Sequence, residues 1–344
     1  MTKSILYING DGVGPELMAS ARSVIDELVD VEWVEGHAGY ATFKQQGTPL
    51  PQATIDSARA CDSVLFCAVT TPPNIPNYKS AIITLRQELD LYANLRPFDS
   101  LPNVSVPAWA SGGLQQPPSA SPLHFAIVRE NTEGLYSSIE ESDGQRATAL
   151  RVITRHASER IVKFAFDYAK ARKFSRVTLV HKANVLRKTD GLFLEAGREI
   201  AKSYARAGIS CDDAIVDSVA MRLVKSPQDF QVIATTNLFG DILSDEASAL
   251  IGGLGVAPSA NIGEKHSLFE PVHGSAPDIA GRGIANPTGM LRSAAMMLER
   301  IGCKKEAVRL EKAIARAYEQ RIVTKDVGGS ASTAQMVEAI RANL

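Results

Sequence analysis

Apolar residues recur along this chain in two alternating rhythms. Short unbroken apolar runs read as strands covered on both faces. Between them, apolar residues three and four apart read as helices that bury one stripe. Ser4–Asn9 is the first such strand. The turn GDGVGPE follows, with Pro15 in the first turn of a helix reaching about Val29. Asp30–Glu35 reads as a strand, Gln52–Ala60 as a helix and Ser63–Val69 as a strand. This β-α-β-α-β order predicts an α/β fold with a largely parallel sheet under helices.

A helix is expected from Ser80 to Leu89. From Pro97 to Pro122 the chain carries six prolines together with Gly112 and Gly113, too many for regular structure over most of it, and a domain crossing is expected there. The rhythm then resumes. Phe125–Arg129, Arg176–His181 and Val232–Thr236 read as strands. Ala157–Arg172, Asp190–Ala205, Asp241–Ile251, Gly289–Ile301 and Lys305–Glu319 read as helices, and Gly252–Gly263 as a glycine-rich loop.

A length of 344 residues exceeds one ordinary core and points to two domains. The net charge of −1 offers no basic field for nucleic acid or an anionic membrane, so any anion site must be built from local Arg and Lys. Cys61, Cys67, Cys211 and Cys303 form no CxxC pair and no zinc spacing, as in a reducing compartment. With no signal-peptide layout and no long apolar run, a cytoplasmic location is expected.

Several residues could carry chemistry. Asp241 and Asp245 stand four apart, on one face of a helix; two such carboxylates suit a hard divalent cation, or are simply solvated acids. Arg86, Arg96 and Arg129 could pair a di- or tricarboxylate, although each alone also reads as a surface ion-pair residue. Lys182 lies just past the carboxyl end of a strand, where ligands of open α/β sheets bind. A lysine crowded by cations gives up its proton more readily and can act as a base. Tyr136 in RENTEGLY is a further candidate, or a packing residue. GDGVGPE is GxGxG and not the GxGxxG of a dinucleotide-binding Rossmann unit. In HGSAPDIAG, small residues would let a ligand approach the backbone, and Asp278 could accept from a ribose diol while repelling a 2′-phosphate.

Together, GDGVGPE, LRQELDLYANLRP, VRENTEGLY, HKANVLRKTDG, TTNLFGDILSDEASALIGGLGVAPSANIG and FEPVHGSAPDIAGRGIANPTG resemble the β-decarboxylating dehydrogenases that act on isocitrate, homoisocitrate, isopropylmalate and tartrate. The resemblance covers nearly the whole chain. It implies the non-Rossmann α/β fold of that family. A large cofactor-binding domain (1–99 with 252–344) and a smaller dimerisation domain (100–251) would flank an active-site cleft. It further implies a homodimer, with a tetramer left open, whose sites are shared: Lys182 and Asp217 would enter from the partner. Arg86, Arg96 and Arg129 match the carboxylate clamp. Asp217, Asp241 and Asp245 match the Mg²⁺ or Mn²⁺ ligands, and Tyr136 and Lys182 the acid–base pair. Thr71, His273, Gly274, Ala276, Asp278, Ile279 and Asn286 match the cofactor pocket. Relatives that use NADP carry a Lys-Tyr pair where this chain has Asp278 and Ile279, so NAD is implied.

Substrate choice in the family resembles a readout by the helix start NYKSAIITLR. Isopropylmalate enzymes typically carry a Glu and paired Leu there and RELTGG later; this chain has Lys79 and RENTEG. Isocitrate enzymes show Ser and Asn two apart; Ser80 is present but Ile82 replaces the Asn. Bacterial homoisocitrate enzymes have an Arg where this chain has Ile83. Archaeal homoisocitrate and isocitrate enzymes are most similar in their YKS, VITR and HKANVL runs. The expected reaction is therefore NAD-dependent oxidative decarboxylation of isocitrate or homoisocitrate, its distal carboxylate held through Ser80 and Lys79. Two alternatives stand beside it: isopropylmalate dehydrogenase, and a non-catalytic regulatory subunit of a hetero-oligomeric isocitrate dehydrogenase. The latter would normally have lost acid–base or metal residues.

Overall fold

A computed structural model describes residues 2–75, 78–104 and 122–344, which fall into two compact units. Residues 2–91, 101–104 and 251–344 make up the first, apart from 76 and 77. Residues 92–100 and 122–250 make up the second. The greater part of the proline-rich segment, 105–121 with Gly112 and Gly113, lies outside the described residues.

The first unit begins with β1 (Lys3–Ile8), whose Ile5, Leu6 and Ile8 are fully buried, as a strand covered on both faces requires. Helix α1 (Gly14–Ile25) follows, with Pro15 at its start. Next come β2 (Val31–Gly36), α2 (Tyr40–Gln46), α3 (Gln52–Ala60), β3 (Ser63–Phe66) and α4 (Ala81–Glu88). Strands β2 and β3 both pair parallel to β1.

The central unit opens with β4 (Ala93–Asp99), antiparallel to β5 (His124–Glu130). Pro97, at the start of the proline-rich segment, therefore sits in a strand. A two-stranded hairpin, β6 (Glu140–Ser142) and β7 (Ala147–Ala149), follows. Helix α5 (Arg155–Arg172) is capped by the Thr154 hydroxyl, which accepts from the Ala157 N–H, and closes with Lys173 in the left-handed region. Its stripe Ile161, Val162, Ala165, Phe166 and Ala169 is buried. Then come β8 (Arg176–His181), α6 (Thr189–Tyr204), β9 (Ser210–Ile215), α7 (Val216–Lys225), β10 (Val232–Thr235) and α8 (Asn237–Leu250). The strand order β4-β5-β10-β8-β9 is parallel except for β4.

The chain then returns to the first unit. The expected loop at 252–263 in fact holds β11 (Pro258–Ile262), antiparallel to β12 (Ser267–Pro271), which runs parallel to β3. The unit's strand order is β2-β1-β3-β12-β11. Helix α9 (Thr288–Arg300) is buried around most of its circumference, and α10 (Lys304–Glu319) and α11 (Thr333–Ala342) cover it and α1. Among the described residues no helix is long and apolar enough to cross a membrane.

Candidate active site

Helix α8 begins at Asn237, four residues before the expected start, so Asp241 and Asp245 both lie in its body and share a face. Arg129, at the end of β5, is fully buried and aims at this face. Its guanidinium pairs with Asp241 and donates to Asn237 Oδ1 at 2.7 and 3.0 Å. Arg96, on β4, donates to Ser244 Oγ at 2.6 Å and Asn94 Oδ1 at 2.7 Å, and reaches Asp245 at 3.3 Å and Asp241 at 3.5 Å. Tyr136 donates its hydroxyl to Asp241 Oδ2 at 2.5 Å, and its ring lies under Arg129 at 5.0 Å. Gly240 makes this possible: a Cβ there would stand 2.6 Å from Arg129 Cβ.

The electrostatics follow from the packing. Burial pushes the Tyr136 phenol up; Arg129 opposes this and Asp241 adds to it, so the phenol keeps its proton. Burial also pushes the Asp245 carboxyl up, with Arg96 opposing and the charge of Asp241 reinforcing. Two carboxylates one turn apart are a fitting oxygen donor set for a hard divalent ion. Among the described residues no third acid, histidine or cysteine completes a metal cluster within the chain.

Lys182 follows β8 and pairs with Asp217 in the first turn of α7. This hydrogen bond holds the exposed Asp217 carboxyl below the usual carboxylate range. Thus Arg96, Arg129, Tyr136, Asp241 and Asp245 form one cluster, while Lys182 and Asp217 form a separate pair.

In the first unit, the loops after β1, β3 and β12 lie at the carboxyl ends of parallel strands, where open α/β folds bind ligands. Asp11 ties them together, its carboxylate accepting the N–H groups of Tyr40, Ala41 and Thr70, each at 2.8 Å. Ser275 joins the same knot: its hydroxyl lies 2.7 Å from that of Thr70 and its carbonyl accepts from the Val13 N–H. Gly12 is obligatory here, with φ +61° and room for no Cβ beside the Ser275 carbonyl. Thr71 and Ser80 stand 3.3 Å apart through their hydroxyls, and Lys79 is exposed. Arg86 is buried and donates to Glu270 at 2.9 Å, and Asn261 donates to the same oxygen at 2.7 Å.

The loop from His273 fits an adenosine group. His273 Nδ1 bonds the Gly274 carbonyl at 2.9 Å, so Nδ1 carries the proton. Burial holds the ring below the usual histidine range and hence neutral. Its Nε2, a buried acceptor, has no partner among the described residues. Ala276 is held at φ 39°, an unusual conformation for a residue with a Cβ. Asp278 is exposed, and Ile279 closes the turn with its N–H on the Ala276 carbonyl. Asn286 is buried, donating to Asp326 at 3.0 Å.

The residues that hold these groups were not singled out in the sequence: Asp11, Asn94, Asn237, Ser244, Asn261 and Glu270. All lie inside the motifs quoted above; Asn94, Asn261 and Glu270 are polar residues interrupting strands and Asn237 opens a helix, whereas Asp11 in a turn and Ser244 in the body of α8 carried no such signal.

A family model described as isocitrate/isopropylmalate dehydrogenase matches residues 4–340. The chain is 48% identical over 340 residues to homoisocitrate dehydrogenase of Methanocaldococcus jannaschii, covering 98% of this chain and 96% of that one. It is 47% identical over 342 residues to 3-isopropylmalate dehydrogenase of Methanothermobacter thermautotrophicus, covering 99% and 98%. The crystal structure of isocitrate dehydrogenase from Methylococcus capsulatus superposes with a TM-score of 0.92 at 48% identity, covering 99% of each chain. The α/β fold is that of isocitrate dehydrogenase, and the chain belongs to the isocitrate/isopropylmalate dehydrogenase family, as an enzyme of the β-decarboxylating dehydrogenases.

Proposed function

We propose that this enzyme oxidises and decarboxylates isocitrate, homoisocitrate or both to the 2-oxo acid and CO₂, with NAD and with Mg²⁺ or Mn²⁺. The observation that carries the reading is the cluster of Arg96, Arg129, Tyr136, Asp241 and Asp245, in which two cations, a protonated phenol and two carboxylates meet. Arg96 and Arg129 bind substrate carboxylates, as does Arg86 in the first unit. Their fixed forks orient the anion bidentately. Asp241 and Asp245 hold the metal, together with Asp217 from a second copy of the chain. A metal held there would supply the Lewis acidity that acidifies the 2-hydroxyl, and a bound NAD would supply the hydride acceptor. Lys182, from the second copy, takes the hydroxyl proton. Once CO₂ has left, Tyr136 returns a proton to C3, a role suited to a phenol kept protonated by burial.

His273, Gly274, Ala276, Asp278, Ile279 and Asn286 are the adenosine side of the NAD site, and Thr71 is a further cofactor contact. The neutral imidazole of His273 offers its free Nε2 to a donor such as an exocyclic amine. Val185, Met221 and Ile242, near Lys182, Asp217 and Asp241 in the chain, are exposed apolar side chains of the kind that docking of a second copy would cover. Four free cysteines support a reducing, cytoplasmic setting.

Isopropylmalate is the second reading, favoured by the partly buried Ile82 at the start of α4, an apolar side chain where a distal carboxylate would want a polar one. Comparison of kcat/KM for isocitrate, homoisocitrate, isopropylmalate and tartrate with NAD and Mg²⁺, with and without EDTA, decides the matter. The expected result is preference for isocitrate or homoisocitrate, and no turnover in EDTA until metal is restored. Preference for isopropylmalate would replace the substrate assignment, and full turnover in EDTA would remove the metal from the reaction.

A further inference from the structure

The main chain at Lys182 is gripped on both sides. Its own N–H donates to Asp190 Oδ2 at 2.6 Å, and the N–H of Ala183 donates to His181 Nδ1 at 3.0 Å. Because Nδ1 accepts, Nε2 holds the ring proton and donates to Asp213 at 3.2 Å; Arg198 holds the other oxygen of Asp213 at 2.7 Å. Asp190, in the first turn of α6, is completely buried and pairs with Arg151. Arg151 also donates to Thr189 Oγ1 at 3.1 Å and Thr236 Oγ1 at 3.0 Å, and its guanidinium lies over the Phe239 ring at 5.1 Å. Thr236 and Phe239 border and form the first turn of α8, the helix of Asp241 and Asp245.

A buried ion pair stabilises a fold no better than a well-packed apolar pair of the same size. The Arg151–Asp190 pair therefore needs another reason, and its hydrogen bonds supply one: they end on the residue proposed as the base and on the helix proposed to hold the metal. We infer that Asp190 and His181, with Arg151 behind Asp190, are positioning residues. They fix the main chain of Lys182 so that its amine meets the substrate hydroxyl, and they lock that segment to the start of α8. The inference rests on the reading of Lys182 as the proton acceptor.

Two paired replacements separate the hydrogen bond from the charge. In Arg151→Met with Asp190→Asn both charges go but an acceptor for the Lys182 N–H remains. In Arg151→Met with Asp190→Leu that acceptor goes too. Mispositioning of a reacting group by about an ångström costs on the order of a hundredfold. The Leu pair should thus lose about fiftyfold or more in kcat with little change in KM, and the Asn pair no more than about fivefold. His181→Leu against His181→Asn makes the same contrast at the Ala183 N–H, should either Asp190 pair fail to fold. In a Lys182→Met background the Leu pair should remove almost nothing from the residual rate, since the group it positions is already gone. Equal kcat in the Leu and Asn variants, or a full further loss in the Lys182→Met background, would overturn the inference. Normal turnover by Lys182→Met alone would instead overturn the reading of Lys182.

Discussion

Asp278 is exposed at the turn where a cofactor ribose is proposed to lie, and a 2′-phosphate there would meet a like charge. Replacing Asp278 and Ile279 with Lys and Tyr is expected to move preference from NAD toward NADP. Each charge-assisted hydrogen bond gained is worth about 1.5–3 kcal/mol, roughly ten- to a hundredfold. The ratio of kcat/KM for the two cofactors measures it; a parent that already used NADP as well as NAD would refute the role of Asp278. Gly240 is a second single-residue test. Its α-carbon lies so close to Arg129 that Gly240→Ala must push the guanidinium off Asp241 or strain the helix. A loss of about 1–3 kcal/mol in denaturant titration and a raised substrate KM are expected. An alanine variant of parental stability and KM would mean that the close approach constrains nothing.

At the scale of elements, the root of the β6–β7 hairpin is stapled by Glu133, whose carboxylate accepts the Thr154 N–H at 3.0 Å and the Thr154 hydroxyl at 2.9 Å. Burial pushes this carboxyl up from 4.5 to about 7, the Thr154 N–H opposing and Glu130 reinforcing. A raised folded pKa means the native state holds a proton the unfolded chain has lost, so stability falls as pH rises from about 4.5 to about 7. The whole shift would amount to about 3 kcal/mol, and solvent screening at this partly exposed group reduces it to about 1 kcal/mol. Glu133→Gln should flatten the fall in melting temperature between pH 5 and pH 8; an unchanged slope would exclude Glu133 as its source. The same scale explains what the sequence made legible. Long amphipathic α5 and the apolar strands β1, β5, β8 and β10 announced themselves, because most of their residues are buried and apolar, with Arg129 and His181 only at the strand ends. Strands β11 and β12 did not, because Ser259, Asn261 and Glu270 are buried within them, the last two in the service of Arg86. Strands β6 and β7 are exposed throughout, and β9 carries Asp212 and Asp213, so no apolar rhythm marked them.

For the whole molecule, the acid pair on α8 was legible as a spacing, but the pairing of Lys182 with Asp217, 35 residues on, was not. Spacing along a chain cannot reveal which strand ends become neighbours, and it says still less about a second copy. If Lys182 serves a site whose Asp245 belongs to the other subunit, Lys182→Met and Asp245→Asn should each be nearly inactive as homodimers. In a mixed dimer one site receives both defects and the other neither. Refolding the two variants together should then recover roughly a quarter of parental activity, since half the dimers are mixed and each has one intact site. A mixture shown to contain mixed dimers yet as inactive as its parents would assign Lys182 and Asp245 to one chain's site.

The pairing of β3 with β12 has a consequence for biosynthesis. Ser63 and Ser267 touch across this pair at a separation of 204 residues. As the chain leaves the ribosome, β1, β2 and β3 emerge early, but the strand that covers the flank of β3 is made only after the entire central unit. At about 5–20 residues per second that interval lasts on the order of ten to forty seconds. Throughout it, the fully buried side chains Val64, Leu65 and Phe66 have an open hydrogen-bonding edge beside them. Nascent chains stalled before Ser267 should therefore be the species that chaperones hold and proteases cut, whereas release of the last eighty or so residues closes the sheet.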